Sequence, residues 1–206
     1  MLNNYFDKIY CINLDRREDR WSETMDELTN RGLEKIVERY SAVDGKDLLN
    51  NTNKINNGEL GLVETHIQII KEAKNNNYKN ILILEDDIIF TDEIKNIDSY
   101  FESLPKNWDI LWFGGNHNIH MGQKLNKINE KIIKCYQTYS THCIGFNNTI
   151  YDLVLILLEK REKPVDVCYS DIQKVYNCFS FYPSIALQRP SFSDIQNKVQ
   201  DNRWLF

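Results

Sequence analysis

The strongest constraint on the fold is an apolar run, Ile81-Leu82-Ile83-Leu84, that leads straight into three acids, Glu85-Asp86-Asp87. An apolar run without polar alternation predicts a strand buried on both faces, as in the middle of a parallel sheet. Three carboxylates at the end of such a strand repel one another and lose hydration unless something positive binds there. Open α/β sheets bind ligands at this edge, so the triplet predicts either a divalent-cation site or a solvated acidic turn.

Composition limits the class of protein. The chain has 206 residues, of which 42% are hydrophobic, and we expect one domain over residues 1–206. The net charge of -5 predicts no nucleic-acid partner. The five cysteines are odd in number and widely spaced, which favours free thiols in a reducing compartment. We see no signal peptide and no apolar run of membrane-spanning length, which predicts a cytoplasmic protein of a bacterium or of a virus-infected host cell. Peripheral contact with a membrane stays open.

Strands and helices are predicted to alternate along the chain. Strands are expected at 6–14, 37–43, 79–84, 108–113, 131–139, 141–146 and 179–182. Helices are expected at 19–31, 59–74, 91–104 and 148–160, and again from Asp166. Segments 46–58 and 116–129 are predicted loops, and 183–206 is a predicted irregular tail in which Trp204 either covers a sugar or packs. This order predicts a three-layer α/β/α domain with a mostly parallel, mixed sheet.

Six motifs occur in a recognisable order. They are Tyr10-Cys11-Ile12-Asn13-Leu14-Asp15-Arg16-Arg17-Glu18-Asp19-Arg20, Ala42-Val43-Asp44-Gly45, Gly58-Glu59-Leu60-Gly61 with Thr65-His66, Leu84-Glu85-Asp86-Asp87, Pro164-Val165-Asp166, and Gln188 with Ser193-Asp194-Ile195. The pattern resembles glycosyltransferase family 25, which includes bacterial lipopolysaccharide sugar transferases and collagen hydroxylysine galactosyltransferases. Family members usually have Gly-Cys and Ser-His where this chain has Gly61-Leu62 and Thr65-His66.

The resemblance implies an activity. It implies a GT-A type nucleotide-sugar-binding fold, a UDP-sugar donor and a divalent cation, usually Mn2+. It also implies inverting transfer of a hexose, galactose or glucose for preference, to a hydroxyl of a glycan or of a collagen-like hydroxylysine. By the same resemblance Asp87 is the expected metal ligand, Glu85 the acid on the ribose side of the donor, and Asp86 a support for either.

The loop after the first strand is a predicted nucleotide site, because it lies at the carboxyl end of that strand. The expected donor-binding residues outside the acidic triplet are Asn13, Asp15, Arg16, Arg20 and Asp44. Asn and Asp can read a base or ribose edge, and Arg can hold a phosphate. The alternative is a solvated turn with charges that cap the next helix, which we expect for Arg17 and Glu18. For Asp44 the alternative is an ordinary Asp-Gly turn.

Asp166 is the predicted general base. Inverting transfer is a single displacement that needs one group to take the proton of the attacking hydroxyl. Asp166 follows Pro164-Val165 and opens a predicted helix, so its carboxylate should lie near a loop mouth. The alternative is a helix N-cap, which Asp fills well. Asp171 is a weaker candidate for the same role.

Two further pairs of residues are predicted to support the site. Glu59 and His66 fall within the apolar half of one predicted helix, where they are expected either to form a buried polar pair under the donor or to satisfy separate core positions. Gln188 and Asp194 lie in the tail, which either folds over the donor or forms a loosely ordered terminus.

Two rival functions remain open at this point. A nucleotidyltransferase also places acids at strand ends, but it usually has a Gly-rich phosphate loop after the first strand, and Asp15-Arg16-Arg17 is no such loop. A catalytically inactive module could keep the fold and bind a nucleotide or a glycan. The intact triplet Glu85-Asp86-Asp87 favours an active enzyme over this module.

Overall fold

The centre of the protein is an eight-stranded sheet, seen in a computed structural model that describes residues 1–48, 51, 54–195 and 198–201. Its strands are β1 (Lys8–Asn13), β2 (Glu38–Ser41), β3 (Asn80–Glu85), β5 (Ile110–Trp112), β6 (Asn126–Lys127), β7 (Ile132–Lys134), β8 (Cys143–Asn147) and β9 (Cys178–Phe181). They lie in the order β2-β1-β3-β8-β5-β9-β7-β6. Only β7 and β8 run against the other six, so the predicted mostly parallel, mixed sheet is confirmed.

Helices cover both faces of the sheet. The helices are α1 (Glu18–Asn30), α2 (Asn57–Asn75), α3 (Ile97–Ser103), α4 (Tyr151–Leu158) and α5 (Val165–Ile172). One apolar core lies between the sheet and α2, α4 and α5, and a second lies between the sheet and α1 and α3. In β3, Ile81 and Ile83 join the first core while Leu82 and Leu84 join the second. This alternation explains the uninterrupted apolar run, and the predicted three-layer α/β/α architecture is confirmed.

Several predicted boundaries change in the structure. Asn56 and Glu59 form a reciprocal capping box, so α2 begins at Asn57 and not at Glu59. The helix predicted at 91–104 is a 3-10 turn, Asp92–Asn96, followed by α3. The strand predicted at 131–139 shortens to β7, and the loop predicted at 116–129 contains β6.

The tail is more ordered than predicted. Strand β4 (Ile88–Phe90) follows the acidic triplet and pairs with β10 (Ala186–Gln188) from the tail. Beyond it, β11 (Ser191–Ser193) and β12 (Lys198–Gln200) form a hairpin. The expectation of an irregular tail is therefore wrong for these segments, because their backbone groups find partners far away in the sequence. Trp204 lies outside the described residues.

Two of the sequence motifs meet where α2 approaches the turn after β2. A methyl group at Gly61 would lie 2.5 Å from the carbonyl oxygen of Val43, and one at Gly45 would lie 2.1 Å from that of Asn57. The hydroxyl of Thr65 accepts a hydrogen bond from the Val43 amide at 2.9 Å. The glycines therefore allow the start of α2 to pack directly against the turn, and Thr65 joins the two segments.

His66 joins α2 to α5. Its ring is fully buried and its Nδ1 lies 3.0 Å from the hydroxyl of Tyr169. The expected pair between Glu59 and His66 is not formed, because the Glu59 carboxylate accepts a hydrogen bond from the backbone amide of Asn56. The two residues therefore act separately, one as a helix cap and the other as a core contact.

Among the described residues, no helix combines the length and the apolar character needed to cross a bilayer.

We expect stability to fall on acidification because of His66. Burial lowers the pKa of His66 to about 3, whereas in the unfolded chain it titrates near its usual value of about 6.5. As pH falls through about 6.5 the unfolded state takes up a proton that the folded state does not, so stability is lost. Urea unfolding at pH 7 and pH 5 should show about 2 kcal/mol less pH dependence in His66→Gln than in the native chain.

The buried side chains of His117 and His142 are the internal control, because burial lowers their pKa as well and both remain in the variant. An unchanged pH dependence in His66→Gln would contradict the assignment.

Candidate active site at the carboxyl edge of the sheet

A cavity of about 740 Å³ opens where β1, β2 and β3 end. This volume is within the range of small-molecule and cofactor sites. The predicted residues that line it are Asn13, Arg16, Arg20, Asp44, Glu59, Glu85, Asp86, Asp87, Asp166, Gln188 and Asp194. Asp15 and His66 are not part of its lining. Segments from all six sequence motifs, far apart in the chain, thus contribute to one concave surface.

Arg20 neutralises two of the three acids. From α1, its Nη2 lies 2.5 Å from Asp86 Oδ1 and 3.0 Å from Asp87 Oδ2, and all three side chains are nearly buried. Burial raises the pKa of Asp86, although Arg20 and Asn13 favour its charged form. The acidic turn therefore has a cation supplied by the protein itself. Arg20, which we predicted to hold the donor, is largely occupied by this ion pair.

Asn13 and Asp15 also have partners within the protein. The Asn13 amide donates to Asp86 Oδ2 at 2.6 Å, and its carbonyl accepts from the Arg39 guanidinium at 2.7 and 2.9 Å. The exposed Asp15 carboxylate accepts from Ser41 at 2.7 Å and from Arg39 at 2.9 Å. Asn13 thus orients the acidic turn from the cavity wall. Asp15 does not line the cavity, and its contact with a donor stays a prediction.

Asp87 has an unsatisfied oxygen. Its Oδ2 accepts from Arg20 and lies 3.4 Å from the hydroxyl of Ser191, whereas its Oδ1 is buried without a hydrogen-bond partner among the described residues. A buried carboxylate oxygen without a partner is costly unless a cation or donor binds it. The described part of the chain brings together no group of three or more His, Cys, Asp or Glu side chains suited to a metal ion. The residues therefore fit a cation held by one carboxylate together with ligand phosphate oxygens and water, as is common for small divalent ions.

Glu85 ends β3 and lines the cavity. Its Oε1 accepts a hydrogen bond from the hydroxyl of Thr141 at 2.7 Å. Burial, followed by the charge of Asp87, raises the pKa of Glu85. This shift favours the protonated carboxyl, which can both donate and accept hydrogen bonds.

Asp194 connects the tail to the loop after β1. Its carboxylate binds Arg16 at 2.8 Å and also binds Arg17, while Arg16 reaches Asp44 at 2.5 Å. The expectation that Arg17 is only a solvated charge is therefore wrong. Arg17 pairs with nearby Asp19 at 2.8 Å as well, but Asp194 lies 177 residues away in the chain, so no local pattern marks that contact.

Arg189 is a site residue that the sequence did not indicate. Its backbone amide donates to the carbonyl of Asp87 at 2.6 Å, and its guanidinium donates to the carbonyl of Asp86 at 3.2 Å. It also pairs with Glu23 of α1 at 2.7 Å. Neighbouring Gln188 ends β10 opposite Ile88 and lines the cavity. The tail thus holds the backbone of the acidic turn in place.

Asp166 lies in the first turn of α5. Pro164 occupies the N-cap position, so the alternative role of Asp166 as N-cap is wrong. The Asp166 carboxylate accepts from the amide of Ser140 at 3.5 Å, and burial raises its pKa. Ser140 has a left-handed backbone, with φ of 72°, at this point. The weaker candidate Asp171 is outside the cavity lining and forms an ion pair with Lys163 at 2.7 Å.

The layered α/β fold and a cavity at the carboxyl edge of its sheet are typical of proteins that bind a small ligand at this position. Residues 6–160 match the model of Glycosyltransferase family 25 (LPS biosynthesis protein). The chain belongs to this family, as the motifs predicted.

Relatives with known names share parts of the chain. Procollagen galactosyltransferase 2 of Mus musculus is 30% identical over 134 residues, which cover 53% of this chain and 21% of the mouse protein. A glycosyltransferase 25 family member of Anopheles gambiae is 26% identical over 178 residues, 76% of this chain and 29% of the mosquito protein. The chain thus spans less than a third of the length of these relatives.

Solved structures show a general likeness. A glycosyltransferase involved in the glycosylation of the major capsid of PBCV-1 aligns with a TM-score of 0.45 and 13% identity, over 76% of this chain and 66% of that one. A197 from STIV aligns with a TM-score of 0.46 and 11% identity, over 93% and 92% of the two chains.

We expect Arg20→Met to destabilise the fold strongly. The change removes the cation shared by Asp86 and Asp87 and leaves two nearly buried carboxylates unpaired. Breaking a buried pair from one side costs about 3–5 kcal/mol. Urea unfolding should show a loss of this order.

Lys95→Met provides the control, because Lys95 pairs with Asp92 on the exposed surface and its loss should have no measurable effect. Equal stability of the two variants would show that Arg20 does not stabilise the acidic turn.

Proposed function

We propose that the protein is a metal-dependent, inverting hexosyltransferase that uses a UDP-sugar, and that the 740 Å³ cavity is its donor site. The observation that carries the proposal is the buried Asp87 Oδ1, which has no hydrogen-bond partner among the described residues. A divalent cation, Mn2+ for preference, would satisfy this oxygen and join it to the donor diphosphate.

The charge of the cavity supports a requirement for a cation. Among the described residues, its lining contains seven carboxyl groups, of which Glu85 has a raised pKa, and four cationic side chains, Arg16, Arg20, Lys46 and Arg189. Arg16 and Arg20 are each paired with two carboxylates. A diphosphate that enters such a site meets repulsion unless a cation enters with it. The charge balance therefore supports the proposed metal dependence.

The remaining donor contacts are assigned by position. Glu85 suits a ribose hydroxyl, because its raised pKa favours the protonated carboxyl, which like the hydroxyl can both donate and accept hydrogen bonds. Arg16 suits a phosphate once the donor competes with Asp44 and Asp194 for its guanidinium. We assign positioning roles to Asn13, Arg20 and Asp86, because Asn13 and Arg20 both bind the Asp86 carboxylate.

Asp166 is the proposed general base. The acceptor hydroxyl oxygen attacks the anomeric carbon, the bond from that carbon to the diphosphate oxygen breaks, and the diphosphate leaves with the bonding electrons. The hydroxyl proton passes to the Asp166 carboxylate. A raised pKa suits this role, because a stronger base accepts the proton more readily. A bound divalent cation would stabilise the charge on the leaving diphosphate.

We propose galactose, with glucose second, as the transferred sugar, since three of the relatives are named procollagen galactosyltransferase. The acceptor would be a hydroxyl of a glycan or of a collagen-like hydroxylysine, in line with the family description and these names. A reducing, cytoplasmic location is supported by five cysteines that are all free and buried.

Thermal melting with a panel of UDP-sugars, with and without Mn2+, tests the donor and the metal together. One UDP-sugar should raise the melting temperature only when Mn2+ is present, because a ligand that binds the folded state stabilises it by mass action. Asp87→Asn should abolish this shift. Failure of every nucleotide to stabilise the native protein would favour an inactive module that binds something else.

Replacement of the proposed general base, Asp166, tests the chemical step separately from donor binding. We expect Asp166→Asn to lower kcat for UDP release in the presence of acceptor by about 10²- to 10⁴-fold, with donor KM nearly unchanged. Asp171→Asn is the matched control in the same helix and should retain native kcat. Equal loss in both variants, or loss in neither, would remove Asp166 from the proposed mechanism.

A further inference from the structure

Exposed apolar side chains gather at one end of the molecule, beside the free edge of the sheet formed by β6. Ile119, Met121, Tyr136 and Val175 are 51%, 76%, 42% and 80% exposed. Such side chains are ordinary when scattered, but a group of them indicates contact with another surface. With the exposed Lys124 and Lys174, they form what we call the basic-apolar face.

Contacts show that this face is continuous. Gln123 donates to the backbone carbonyl of Tyr136, and Asn118 donates to that of Gln137 at 3.2 Å, so the turn carrying Ile119 and Met121 packs beside Tyr136. Lys174 lies over the Tyr136 ring, with its Nζ 5.0 Å from the ring centre. Lys124, Tyr136 and Lys174 also line one hollow of about 530 Å³.

The charge of this region is opposite to that of the whole chain. Residues 116–139 contain four lysines and one acid, Glu130, whereas the chain has a net charge of -5. Lys134 is used internally, since its Nζ donates to the carbonyl of Gln173 at 2.9 Å and also to that of Tyr176. Lys124 and Lys174 are exposed, and neither forms an ion pair among the described residues. They are therefore available to an external anion.

We propose that the basic-apolar face docks the protein onto an anionic membrane surface. Apolar side chains that project from a turn can enter the headgroup region, while neighbouring lysines bind the acidic lipid headgroups. The turn is suited to such contact, because Asn118 and Gly122 have left-handed backbones that turn the chain sharply on either side of Ile119–Met121. Lys174 lies against the Tyr136 ring and shares the hollow with Lys124, so positive charge and apolar surface occur together, as contact with an anionic membrane requires.

The face also has a defined relation to the proposed active site. Asp166, near the start of α5, lines the donor cavity, and Gln173, at the end of α5, lines the basic hollow. Seven residues of helix separate them by about 10 Å. A membrane at this face would therefore present an acceptor close to the cavity. The docking itself does not depend on the proposed chemistry, and its test needs no activity.

Co-sedimentation with vesicles tests the proposal. The native chain should sediment with phosphatidylcholine vesicles that contain about one third phosphatidylserine, but not with phosphatidylcholine alone. Binding should weaken on raising NaCl from about 0.1 M to about 0.5 M. The double variant Lys124→Glu, Lys174→Glu should bind at least about 25-fold more weakly, because the loss of each lysine should lower the affinity about fivefold.

Matched changes elsewhere serve as controls. Lys106→Glu with Lys160→Glu changes the net charge equally at exposed positions outside the face and should bind at least about tenfold more tightly than the first double variant. Met121→Ser should weaken binding several-fold, whereas Ile156→Ser, at a 59% exposed site on α4, should not. Thermal melts would confirm that all variants are folded.

Absence of sedimentation with anionic vesicles at the lower salt would overturn the proposal. So would equal loss in the two lysine double variants, because attraction would then be a property of net charge and not of this face. Retention on heparin with the same sensitivity to Lys124 and Lys174, without vesicle binding, would assign the face to a soluble polyanion instead.

Discussion

The ion pair between Arg20 and the acids after β3 is the interaction on which the site depends. Two carboxylates at the end of a buried strand would repel each other, and Arg20 lies between them. Asn13 from β1 and Thr24 from α1 complete the arrangement, since Asn13 donates to the Asp86 carboxylate and Thr24 to the Asp86 carbonyl. The same contacts that neutralise the turn therefore bind α1 and β1 to it.

This arrangement leaves one carboxylate oxygen for a ligand. Arg20 uses Asp86 Oδ1 and Asp87 Oδ2, and Asn13 uses Asp86 Oδ2, so Asp87 Oδ1 is the buried oxygen of the pair left without a partner among the described residues. The protein thus stabilises most of the acidic turn with its own side chains and leaves a single oxygen for the proposed cation.

The tail takes part in the site through contacts at both ends. Arg189 donates to the backbone of the acidic turn, and Asp194 binds Arg16 and Arg17 after β1. If the proposed donor phosphate bound at Arg16, it would compete with Asp194 and so couple donor binding to the position of this segment. Between Gln188 and Ile195, the tail is therefore a wall of the cavity.

Local patterns predicted the parts of the fold that depend on neighbouring residues. The apolar run before Glu85 identified β3, and helical spacing identified α1 and α2 within two residues at each end. The motif order predicted that Asp44, Asp87 and Asp166 contribute to one site, and all three line the cavity. Asp15 was placed with them by its position after β1, yet it faces Ser41 and Arg39.

What the sequence by itself determined is the layered α/β architecture, the family and the set of acids at the carboxyl edge of the sheet. Hydrophobic periodicity and turn residues act over a few positions and can be read without knowing the fold. The tertiary structure alone decided that Arg20 pairs with the acids, that Arg17 binds Asp194 and that His66 contacts Tyr169 and not Glu59. Charged and polar side chains choose partners by distance in space, and those partners lie from 66 to 177 residues away along the chain.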